Sequence, residues 1–81
     1  MRLPRDLSGH RLAALLNRFG YEPIRQTGSH IRLVSTRQGA EHRITIPAHR
    51  AVSVGTLSAI LTEVAEYLQV DKGDLAEELF G

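Results

Sequence analysis

An 81-residue chain of 9.0 kDa supports one small domain, and 42% hydrophobic with 23% charged residues places it among globular rather than disordered chains. Cysteine is absent, which excludes disulfides, cysteine-based zinc or iron–sulfur sites and thiol nucleophiles. The net charge of +1 conceals a split: residues 1–50 carry nine arginines against Asp6, Glu22 and Glu41, a balance of +6, whereas residues 51–81 carry Lys72 against six carboxylates, a balance of −5.

Ser8 is a suitable N-cap for a first helix, in which Leu12, Leu15, Leu16 and Phe19 recur at helical spacing and Gly20 stands where a left-handed terminal residue is wanted. Arg11 and Arg18 lie off that stripe. Three short strands follow: Tyr21 to Gln26, made an edge strand by Pro23; Ser29 to Thr36; and Glu41 to Ile46, stopped by Pro47. Residues 37–40, with Gly39, form the turn between the last two. Period two puts Ile31, Leu33, Ile44 and Ile46 on a core face, leaving His30, Arg32, Arg43 and Arg25 on an open one. Ser53 or Thr56 caps a second helix with Leu57, Ile60, Leu61, Val64 and Leu68 as its apolar stripe. Asp71 and Asp74 start a short acidic helix at about 71–81. The expected fold is a two-layer α+β domain of order α-β-β-β-α(-α), with a three-stranded antiparallel sheet and helices on one face. The longest apolar run, Leu12 to Leu16, is far too short to span a membrane. No secretion signal is expected from Met1 to Arg5, so a cytoplasmic domain is.

Of four histidines, none has metal-ligand spacing. His10 in a first helical turn reads as solvated, and His42, on the core-side register, as a hydrogen-bonded structural residue. His30 differs: it follows Gly28 and Ser29 at a strand start, on the face where arginines gather. An imidazole there is a candidate proton-transfer group, and guanidinium groups bind phosphate.

The order Leu7-Ser8-Gly9, Arg25-Gln26-Thr27-Gly28-Ser29-His30, Ile46-Pro47-Ala48-His49 and Val54-Gly55-Thr56-Leu57 with Ile60-Leu61 resembles the HicA toxins over about residues 7–65. The resemblance implies a fold like the double-stranded-RNA-binding domain and a ribonuclease that cleaves mRNA. It further implies a HicB-like antitoxin as partner and no metal or organic cofactor. The family's catalytic histidine, in its Gly-Ser-His motif, falls on His30. Val64 to Val70 replace the family's Ala-Gly-Leu, so a longer second helix is expected.

The reading of the chain is therefore a metal-independent endoribonuclease. His30 either accepts the ribose 2′-hydroxyl proton or donates one to the leaving oxygen. Arg25, Arg32 and Arg43 hold phosphates, and His49 is a candidate second proton-transfer group. Gln26, Gly28, Ser29 and Arg50 complete the expected RNA contacts. A non-catalytic RNA-binding module of the same fold is the alternative.

Overall fold

The computed structural model describes residues 2–81. The Ser8 side chain accepts a hydrogen bond from the Arg11 N–H at 3.0 Å, and α1 runs Gly9–Leu16 behind that cap. Leu12 and Leu16 are fully buried, while Arg11 and Arg18 face water. The final turn is not α-helical: residues Asn17–Phe19 tighten into a 3-10 turn, closed by Gly20 at φ 88°. Arg37 fastens this end by donating to the Arg18 carbonyl at 3.0 Å.

The strands β1 (Glu22–Thr27), β2 (His30–Ser35) and β3 (His42–Pro47) form one antiparallel sheet in the order β1-β2-β3. The first strand lies one residue later than the sequence suggests, because Tyr21 is fully buried ahead of it instead of opening the ladder. Ile31 pairs with Ile46 and Leu33 with Ile44, and all four point into the core as the alternation predicts. The register of β1 slips between Pro23 and Arg25, so Ile24 has no partner and stands half-exposed at the free edge.

Helix α1 lies across the inner face of all three strands, and α2 (Val54–Leu68) packs beside it against β3. Ser53, not Thr56, caps α2, its hydroxyl accepting from the Thr56 N–H at 3.2 Å. The helix reaches Leu68, the longer form the sequence implies, and ends on a left-handed Gln69 (φ 59°). Asp71 caps α3 (Lys72–Phe80), which packs on α2 rather than on the sheet. Its Leu75, Ala76 and Leu79 join the same buried cluster as Leu12, Leu33, Ile46 and Leu61. Each large side chain in that cluster contributes roughly 1.5–3 kcal/mol through its removal from water. The outer face of the sheet stays uncovered, so the α+β two-layer architecture is the one expected.

One close approach sets up the functional end of the molecule. A Cβ on Gly9 would collide with the Pro47 carbonyl oxygen, so glycine lets the start of α1 press against the end of β3. Backbone hydrogen bonds from Gly9 to His49 (3.0 Å) and from Val52 to Leu7 (2.7 Å) then pin the loop between β3 and α2.

Candidate functional site

Strands β1 and β2 are joined by Gly28 and Ser29 alone. Gly28 has φ 56° and Ser29 has no positive φ, the pattern of a type II′ hairpin turn, which needs glycine at its first central position. That turn opens β2 with His30. The imidazole lies on the uncovered face, between Thr27 and Pro47 in the register, exposed and without a hydrogen-bond partner among the described residues.

Two residues along the ladder, in the next row on the same face, Arg25 faces Arg32, and both are exposed. Two guanidinium groups placed opposite one another repel, and no carboxylate among the described residues pairs with either. An anion there would relieve that repulsion. Arg43 stands apart. It pairs with Val34, four residues along β3 from Pro47, or roughly 13 Å from the His30 row. Its guanidinium is already held by Glu41 at 3.1 Å. Of the three arginines expected together, Arg25 and Arg32 lie nearer the His30 row and Arg43 two residues farther along the same face.

His49 lies two residues beyond Pro47, the register partner of His30, and it is exposed. The Ala48 N–H donates to the Ser29 carbonyl at 2.6 Å, so the hairpin turn and the His49 loop are stitched side by side. Arg50 follows in the same loop, exposed. Gln26, one residue from the outward Arg25, lies on the opposite face. It pairs with Ile31 and lines a groove with α1 on the helix side of the sheet, as does the exposed His10.

The opposite end of the ladder holds a different histidine. The Tyr21 hydroxyl and His42 Nδ1 are hydrogen-bonded at 2.6 Å, and the His42 ring stacks on Tyr67 with centroids 4.8 Å apart. Tyr67 in turn accepts from the Gln38 N–H at 3.0 Å and shares its own proton between the carbonyls of Ser35, at the end of β2, and Ala40, in the β2–β3 connection, clamping that hairpin to α2. Burial pushes the Tyr21 hydroxyl well above its ordinary range, with Tyr67 and Glu63 adding in the same direction. This is the structural role expected of His42. Nothing in the spacing of Tyr21 and Tyr67 foretold that they would meet it, since the three come from separate elements.

Every arginine of residues 1–50 described here is exposed, and so is every carboxylate of residues 51–81. The one salt bridge among the described residues, Arg43–Glu41, lies within the basic half. Folding therefore preserves the charge split instead of cancelling it. Among the described residues no three histidine, aspartate or glutamate side chains converge as metal ligands.

A family model described as the HicA toxin of bacterial toxin–antitoxin systems matches residues 9–65. The chain belongs to the HicA toxin family. As a HicA toxin it is one member of a toxin–antitoxin pair. The matched span begins at Gly9, ends within α2 and takes in His30, Arg32 and His49, whereas α3 lies beyond it. No curated protein and no solved structure matches the chain significantly. No helix among the described residues is long and apolar enough to cross a membrane.

Proposed function

We propose that this HicA toxin is an endoribonuclease that cuts mRNA in the cytoplasm and so blocks translation. The observation that carries the reading is the exposed, unpartnered His30 beside the unpaired Arg25 and Arg32. Cleavage by this chemistry needs no cofactor. The ribose 2′-oxygen attacks phosphorus and loses its proton, the phosphorus–5′-oxygen bond breaks, and the departing oxygen takes up a proton. His30 and His49, two imidazoles at the stitched end of the hairpin, share these two proton transfers. Arg25 and Arg32 hold the phosphate and offset the charge that grows on it, and exposed Arg50 adds a backbone contact. Gly28 and Ser29 present backbone that the RNA can approach. Arg43, engaged by Glu41, contributes at the far end of the face. A HicB-like antitoxin that presents carboxylates to the same face would block it.

Replacement of His30 tests the reading. His30→Ala is expected to lower cleavage of an RNA oligonucleotide by about 100-fold or more while RNA binding and the melting temperature hold. Wild-type cleavage is expected to persist in EDTA. Cleavage undiminished in a folded His30→Ala chain removes the assignment, and wild-type protein that binds RNA without cutting it is a binding module instead.

A further inference from the structure

On the helix side of the sheet a groove of about 510 Å³ separates α1 from the free edge strand β1. We propose that this groove takes one unstacked nucleobase of the RNA and so sets the sequence at which the toxin cuts. The proposal rests on the nuclease reading of His30 and names how that site chooses its substrate.

The lining suits a base. Ala13 and Ala14 present only methyl groups from α1, and Pro23 and Ile31 answer from the sheet, giving apolar walls. An unstacked base can lodge between apolar side chains. Polar groups are confined to Asn17 and Gln26 with His10 and Arg25. A primary amide offers a donor and an acceptor side by side, the pattern that a base edge complements. Asn17 donates one N–H to the Tyr21 carbonyl at 3.1 Å, which fixes the amide and leaves its oxygen to a ligand. Gln26 is exposed and has no hydrogen-bond partner among the described residues, so its amide is free to meet a ligand. The neighbouring charge is cationic, which favours a polyanion over an acidic protein segment.

Position ties the groove to the cut. Gln26 pairs with Ile31, and the next pair in the ladder is Thr27 with His30, so the groove ends one strand step, roughly 3.3 Å, from the His30 row. The groove and the His30 imidazole, which stands on the central strand β2, lie on opposite faces of the sheet, and no strand covers the outer edge of β1 between them. Arg25 serves both sides: beside the register slip it faces Arg32 across the ladder and also lines the groove. A single strand bent around this edge sets its phosphate against Arg25 and His30 and tucks the adjoining base beneath. Only unpaired RNA bends and unstacks in this way.

The experiment uses Ala14→Leu, an exposed position whose longer side chain fills the groove without entering the core. Gln26→Ala is the second variant. Cut sites mapped on a mixed-sequence RNA should show the preference at the nucleotide beside the cut falling about tenfold in both, with the overall cleavage rate retained in Ala14→Leu. Amide chemical shifts of the His30→Ala chain with a ten-nucleotide RNA should move at Ala13, Ala14 and Gln26, and Ala14→Leu should abolish those movements. Unaltered cut sites in Ala14→Leu overturn the proposal, as do shifts confined to the open sheet face. Loss of antitoxin affinity in Ala14→Leu with RNA preference intact makes the groove a protein site and also overturns it. Shifts in the groove from a wild-type chain that cuts nothing uphold the base site and remove the nuclease reading alone.

Discussion

His30 and His42 sit at opposite ends of one β-ladder, and their surroundings could hardly differ more. His30 pairs with the last residue of β3 and His42 with the last of β2, so each marks an end of the same hairpin. His42 is hydrogen-bonded to a buried tyrosine and stacked on another. His30 stands in water, held by nothing but its backbone, with two unpaired guanidinium groups two residues along the same face. An imidazole committed to two protein partners stabilises the fold and has no nitrogen pair left for substrate. One whose nitrogens are both free adds little to stability and leaves both to a ligand. The stable end of the hairpin carries the open end.

The largest effect expected from this contrast is on stability at His42. His42→Ala strips the partner from the buried Tyr21 hydroxyl, which costs about 1–3 kcal/mol, and removes a stacked ring pair worth about 0.5–1.5 kcal/mol. A net loss of about 2–3 kcal/mol should appear in urea unfolding, against less than about 0.5 kcal/mol for the exposed His30→Ala. Equal losses from the two would abolish the distinction between the ends.

Alkaline unfolding sharpens the same contrast at smaller scale. Burial raises the Tyr21 hydroxyl above its unfolded value of about 10, so above that pH the unfolded chain releases a proton that the folded chain keeps. The stabilising contribution is complete below about pH 10 and declines above it, by up to about 1.4 kcal/mol per pH unit. Melting temperatures measured between pH 9 and 11 should fall in the wild type and fall less in Tyr21→Phe. Curves that run parallel would mean that the hydroxyl is not protected by the fold.

Much of the contrast was legible in the sequence, and what was not has a physical reason. Alternation alone placed Ile31, Leu33, Ile44 and Ile46 inward and His30 and Arg32 outward, because a pleated strand has no other choice once one face is covered. Caps at Ser8 and Asp71 were equally plain. The position of Arg43 was not, since sharing a face says nothing about distance along it, and a neighbouring glutamate claims its charge. Gln26 falls on the helix side as alternation with the outward Arg25 implies; what the sequence hides is the slip at Ile24, which nothing beyond Pro23 marks. The tyrosine clamp on His42 joins residues 21, 42 and 67, a meeting that only the tertiary fold decides.

The smallest effect tests why glycine stands beside His30. At Gly28 an added Cβ meets no atom of the chain within 4 Å, so space is not the constraint; the φ of 56° is. Gly28→Ala should therefore cost about 1 kcal/mol of stability, the left-handed penalty partly offset by a stiffer unfolded chain. A D-alanine introduced at the same position by chemical synthesis favours positive φ and should restore that stability. It also places a methyl group on the backbone that the RNA is expected to approach. The D-alanine chain is thus expected to fold as firmly as the wild type and to cleave more slowly, read by urea unfolding and by initial rates on one oligonucleotide. Wild-type rates in that chain would assign Gly28 to the turn alone and leave the contacts with RNA to the side chains of the open face.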